Sequence, residues 1–127
     1  MHDRHLYEYA VIRYLPRVER EEFINVGLIM MCKRQRWIRA RVKVDPRRLQ
    51  AFPDALPADE LTAQLHGFGL VASGAGDGGD IAALEAEERF RWLTAVRSAC
   101  VQTSRPHPGL CADLSSTFDR LFAELVD

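Results

Sequence analysis

The spacing of apolar and polar positions changes period several times along the chain, and each change predicts an element. Tyr7 to Tyr14, "YEYAVIRY", is rich in aromatic and β-branched residues and is closed by Pro16, which predicts a strand. Val26 to Lys33, "VGLIMMCK", is apolar at successive positions, the pattern of a strand buried on both faces and central in its sheet. Trp37 to Val44, "WIRARVKV", alternates strictly, with Ile38, Ala40, Val42 and Val44 on one face and Trp37, Arg39, Arg41 and Lys43 on the other. Arg34-Gln35-Arg36 is short enough for a hairpin, so the first third reads as an antiparallel meander.

Beyond Val44 the period lengthens. Asp45-Pro46 has the order of an N-cap followed by proline at the first helical position, which predicts a short helix over Arg47 to Phe52 that Pro53 stops. Leu61, Leu65 and Phe68 form a helical stripe within Ala58 to Phe68. Ser73 to Asp80 is glycine-rich and reads as a flexible excursion, because it lacks the lysine and hydroxyl order of a phosphate loop. Ile81 to Trp92 reads as helix and Val96 to Thr103 as strand. Ser104 to Cys111, "SRPHPGLC", reads as a turn because of Pro106, Pro108 and Gly109. Asp113 or Ser115 caps a last helix that carries Phe118, Leu121, Phe122 and Leu125 on one face. The expected architecture is one α+β domain over residues 1–127, an antiparallel β-meander with helices packed on one face. The last helix is expected on the face of Ile38, Ala40, Val42 and Val44.

Composition narrows the class. The chain has 127 residues, 47% of them hydrophobic, enough for one domain with its own core. Seventeen basic against eighteen acidic side chains leave a net charge of -1, so any preference for nucleic acid or an anionic membrane has to be local. The polar start, Met-His-Asp-Arg-His, has no signal-peptide h-region, and Val26 to Cys32 is too short to span a bilayer. Three cysteines, Cys32, Cys100 and Cys111, make an odd count without a C-x-x-C pair, which suits a reducing cytoplasm.

Candidate chemistry is sparse. His2 and His5 are three apart but near a terminus expected to fray, and His66 lies on a helix with no second ligand at i±3 or i±4, so no metal or cofactor is expected. Cys111 lies near His107 and Asp113, but catalytic partners converge in space, and local clustering makes Cys111 read as a small buried hydrophobe. His107 is held between two prolines and is either a directed imidazole or a solvated turn residue. From Lys33 to Arg48 there are eight basic residues and one acid. Trp37 beside Arg39, Arg41 and Lys43 could stack on a base while the cations meet phosphates, implying weak, non-specific nucleic-acid binding. The other reading is a half-exposed strand guarded by charge, its face covered by acidic residues elsewhere in the chain.

Between Arg17 and Glu22 five of six residues are charged. The connection from Leu15 to Asn25 is longer than the roughly two to five residues of a hairpin loop, so it is expected to pair internally, Arg20 with Glu22 or Glu19. Asn25 and Gly27 fit a sharp re-entry into the sheet.

Three blocks, "YEYAVIRYLPRVEREEFINVG" (Tyr7 to Gly27), "ERFRWLTAVRS" (Glu88 to Ser98) and "HPGLCAD" (His107 to Asp113), resemble the bacterial domain-of-unknown-function family 3037. The resemblance covers almost the whole chain and is loosest from Ala51 to Gly79. It implies no established activity. It does imply a partner, since members of the family stand beside kinase-like proteins of the HipA type. The family has Pro-Arg-Ser where Val96-Arg97-Ser98 stands here, and Thr where Pro108 stands, which implies a stiffer loop from Ser104 to Leu110.

The resulting expectation is a cytoplasmic binding or regulatory module acting with a protein partner rather than an enzyme, with Arg13, Arg20, Glu22, Asn25, Arg97, Ser98 and His107 forming one polar site. The alternatives are nucleic-acid binding through the basic strand, or processing of phosphate esters by the Arg/Glu loop 17–25 with His107.

Overall fold

A computed structural model describes residues 4–73, 84–95 and 99–127. The described residues form a five-stranded antiparallel sheet with four α-helices, an α+β fold as expected. The strands are β1 (His5–Tyr14), β2 (Ile24–Cys32), β3 (Trp37–Val42), β4 (Val101–Thr103) and β5 (His107–Cys111), and the helices are α1 (Pro46–Leu49), α2 (Ala58–Ser73), α3 (Ala86–Leu93) and α4 (Leu114–Leu125). β1, β2 and β3 make the expected meander with β2 inside it, while β4 and β5 both pair with β1 on its other side.

Capping sets the helix starts. Asp45 accepts a hydrogen bond from the Arg47 amide at 2.9 Å, with Pro46 as the first residue of α1. Asp113, and not Ser115, caps α4, accepting from the Ser116 amide at 3.2 Å. The hairpin between β2 and β3 turns through Arg36 at a φ of 49°.

The helices divide between the two faces of the sheet, which corrects the expectation that they share one. α2 and α3 bring Leu61, Leu65, Phe90 and Leu93 onto Ala10, Ile12, Tyr14, Ile29 and Met31, with Ile38, Ala40 and Val42 beside them. α4 lies on the opposite face, its Phe118, Leu121 and Phe122 against Tyr7, Val11, Leu28 and Met30. The last helix therefore covers the Trp37, Arg39 and Arg41 side of β3, not the Ile38 side. The reason is that arginine stems pack as well as aliphatic chains while their heads stay at the rim. The Arg41 guanidinium sits 5.1 Å from the Phe118 ring and 5.0 Å from the Phe122 ring.

Two other expectations change. "HPGLC" is an edge strand and not a turn; Pro108 is tolerated because an edge strand can lack an N–H without losing a ladder bond. The strand expected over Val96 to Thr103 is Val101–Thr103 among the described residues, and Val96, Arg97 and Ser98 lie outside them, as does nearly all of the glycine-rich stretch. Ser104 joins β4 to β5 alongside β1. Its amide donates to the Val11 carbonyl at 2.8 Å, and its buried Oγ accepts from the Val11 amide at 2.9 Å.

Gly109 and Gly27 are both set by close approach. A Cβ on Gly109 would meet the Tyr7 ring at 2.4 Å, so this glycine is where the tyrosine lies across the edge strand. Gly27 follows a β-bulge, in which Ile12 pairs with Gly27 and Arg13 with Asn25, leaving Val26 as the extra residue. The bulge turns Asn25 toward α4 while Ile24 and Val26 enter the α2-side core.

Candidate recognition face

α4 packs chiefly on β2, with Tyr7 and Val11 of β1 in the same core, and reaches β4 and β5 at most weakly. What remains open there follows from strand alternation. Tyr7 and Val11 of β1 point to the α4 side, so Tyr9 and Arg13 do too, and their cross-strand partners His107, Gln102 and Asn25 join them. Tyr9 and His107 pack with ring centroids 5.3 Å apart and their planes tilted by 35°, and Tyr7 lies 6.4 Å from Tyr9. Toward the other end of β1 the Arg13 guanidinium lies 4.1 Å from the centre of the Phe23 ring. Phe23 is 44% exposed although it is a large apolar residue. Arg13 borders a groove of about 310 Å³ together with Leu15, Val18, Glu21, Phe23 and Gln102.

Electrostatics differ along the face. Arg13 Nε and Asn25 Oδ1 are shut off from solvent and have no hydrogen-bond partner among the described residues. The other end of the Asn25 amide donates to the Leu125 carbonyl at 3.0 Å and, with Arg48 donating to the Val126 carbonyl at 2.6 Å, closes the C-terminus of α4. Asn25 is thus partly a helix clamp. Burial raises the Tyr7 phenol above the usual tyrosine value, with the nearby Cys111 thiol adding to it and Arg120 opposing it.

The seven residues expected in one polar site are distributed as follows. Arg13 and Asn25 are direct cross-strand neighbours. His107 is on the same face beside Tyr9, four positions back along β1, or roughly 13 Å at strand rise. Arg20 and Glu22 pair with each other at 2.6 Å, as the internal pairing of the loop predicted, and border a separate recess with Arg17, Phe52 and Asp54. Arg17 pairs with Glu19 at 2.7 Å. Both pairs are solvent-exposed, which removes the buried-pair account of this loop. Each carboxyl is held below the usual range first by its hydrogen bond from the arginine. Arg97 and Ser98 lie outside the described residues.

The basic row of β3 is committed to α4. Arg39 donates to Ser115 at 2.9 Å, Arg41 to Asp119 at 3.2 Å, and Lys43 to Asp127 at 2.6 Å, while Trp37 meets Phe118 edge-on. The covering of this strand face by acidic residues, one of the two sequence readings, matches this arrangement. The three cysteines are free, and among the described residues no group of three or more His, Cys, Asp or Glu is placed to hold a metal. No helix among them is long and apolar enough to cross a membrane.

Phe23, Tyr9 and Gln102 were not singled out by sequence reasoning. Phe23 left a signal, a bulky aromatic between the charged run and the buried strand, but nothing local pairs it with Arg13.

The elements together define an α+β protein built on one antiparallel sheet, with a partly open face beside its last helix. The chain belongs to the family described as Protein of unknown function (DUF3037), whose model matches residues 9–126. Comparison with curated proteins finds no match, and comparison with solved structures finds none.

Proposed function

We propose that this protein is a binding module of the bacterial cytoplasm that acts through a protein partner, and that its recognition surface is the open half of the α4-side face. The observation that carries the reading is the pairing of Tyr9 with His107 and of Arg13 with Phe23 on that half. Tyrosine and arginine are enriched among the residues that dominate interface energetics, and side chains already packed on one another lose less freedom when a partner closes over them. The resemblance to a family found beside HipA-type kinase-like proteins makes such a protein the first partner to test.

The experiment is capture of a purified HipA-type kinase-like protein by immobilised wild-type protein, compared with Tyr9→Ser/His107→Ala and with Arg41→Gln. Tyr9 packs at the margin of the α4-side core beside Tyr7 while His107 is exposed, so circular dichroism of the double variant is read first and only a folded variant is scored. The expected result is lost capture by the double variant and retained capture by Arg41→Gln. Equal capture by all three proteins, or loss only in Arg41→Gln, would reject the open face as the recognition surface.

A further inference from the structure

Three arginines among the described residues are half-buried: Arg13, Arg39 and Arg89. Arg39 donates to Ser115 and Arg89 to the Leu84 carbonyl. Arg13 rests on Phe23 and has no carboxylate or carbonyl acceptor among the described residues, and its Nε is closed off from solvent. A guanidinium withdrawn from water normally gains an acceptor in exchange, and a ring beneath it replaces only part of its hydration. The terminal nitrogens of Arg13 are not shut off in this way, and an acceptor arriving from outside meets them, where a cation favours an anion.

The groove selects among anions. Its volume of about 310 Å³ is at the lower end for small-ligand sites and suits one side chain better than a nucleotide. Leu15, Val18 and Phe23 give it apolar walls that match a methylene stem, and Gln102, whose Nε2 donates to the Ala99 carbonyl at 2.7 Å, lines it next to Arg13. Glu21 also lines it, on a residue at φ 57° and without an ion pair among the described residues. A fixed negative charge at the wall disfavours a dianion such as phosphate more than it disfavours a single carboxylate.

We propose that the Arg13 groove takes the carboxylate of a glutamate or aspartate side chain of the protein partner, with Arg13 as the forked donor and Glu21 as the competing charge. This rests on reading the open face as the recognition surface and goes further in naming the chemistry of the anchor. Arginine presents two parallel N–H donors to a carboxylate, which fixes direction as well as charge.

The test is a nitrogen-15 NMR titration of the full chain with acetyl-Gly-Glu-Gly-amide, with its Gln counterpart, and with inorganic phosphate. The expected result is a shift of the Arg13 Nε–H and of the Phe23 and Gln102 amides with the Glu peptide alone. Arg13→Gln should abolish it, and Glu21→Gln should tighten it about two- to five-fold, as removal of one exposed like charge implies. Shifts with phosphate but not the peptide, equal shifts with the Gln peptide, or none with any probe would overturn the proposal. Should Arg13→Gln fail to fold, Glu21→Gln carries the decision, because unchanged affinity in that exposed variant also overturns it. The two readings fail separately: partner capture that survives Arg13→Gln but is lost in Tyr9→Ser/His107→Ala rejects the carboxylate anchor and leaves the face.

Discussion

Replacing Gly27 by alanine tests how closely β2 and β3 approach at the bulge. A Cβ there would stand 2.7 Å from the Arg41 carbonyl oxygen, 3.0 Å from Val42 Cγ1 and 3.1 Å from Ile12 Cδ1. Carbon and carbonyl oxygen ordinarily stop at about 3.3 Å even in their closest attractive contacts, so the overlap is roughly half an ångström against backbone. The backbone cannot swing aside, because Lys43 donates to the Val26 carbonyl at 2.7 Å on one side of the contact and Gly27 pairs with Val42 on the other. Overpacking of a tight interior costs about 1 to 3 kcal/mol, and the lower unfolded-state entropy of alanine returns about 0.4 to 1 kcal/mol. The net expectation is destabilisation by about 1 to 2 kcal/mol, or a fall in Tm of about 4 to 8 °C for a domain of this size. Urea unfolding should show a lower midpoint at unchanged slope. Gly67→Ala is the control: nothing lies within 4 Å of its Cβ position on α2, so it should stabilise by about 0.5 to 1 kcal/mol. A neutral or stabilising Gly27→Ala, beside a stabilising Gly67→Ala, would refute the close approach.

Asn25→Leu removes the donor to the Leu125 carbonyl at the C-terminus of α4, and should cost about 1 to 3 kcal/mol in urea unfolding. Arg20→Ala and Glu22→Ala should leave the melting temperature nearly unchanged, since the pair is fully exposed. Because Arg20 holds the Glu22 carboxyl below its usual range, whatever the pair contributes is present above the ordinary glutamate value and lost as pH falls through the lower folded value. An early melt in either variant would show that the loop holds the fold. For Tyr7 the sign is opposite: the unfolded chain ionises first, so its contribution is whole below about pH 10 and declines as pH rises through the higher folded value, which ultraviolet difference titration of wild type against Tyr7→Phe would detect.

The meander and the last helix were legible because their patterns are local. β2 is apolar at successive positions because both of its faces are covered, and Phe118, Leu121 and Phe122 recur at helical spacing because one helix face is. Which sheet face receives that helix is not a local property. Arg39, Arg41 and Lys43 look like a solvated row in β3, and only their pairing with Ser115, Asp119 and Asp127, 76 to 84 positions away, turns them into a seat for α4. A longer separation still, 98 to 106 positions between the partners in β1 and β5, hid β5. Pro106, Pro108 and Gly109 are turn residues by propensity, yet Tyr7 requires a glycine beneath its ring and the sheet edge tolerates the proline.

The candidate face was half legible for a related reason. Arg13 announced itself as a charge within an apolar strand, and the charged loop after it promised the internal pairs that Arg17, Glu19, Arg20 and Glu22 make. Those pairs, however, satisfy each other in water, whereas the Arg13 Nε has no hydrogen-bond partner among the described residues and the guanidinium rests on a ring. The charge-dense loop drew attention by composition, and the half-buried cation beside it has the greater need of a partner, because an unpaired charge costs more as water is withdrawn from it. Composition counts charges, but only packing shows which of them has been left without an acceptor. On that ground the proposed recognition chemistry centres on Arg13 and Phe23 beside the bulge and not on the ion pairs of the loop.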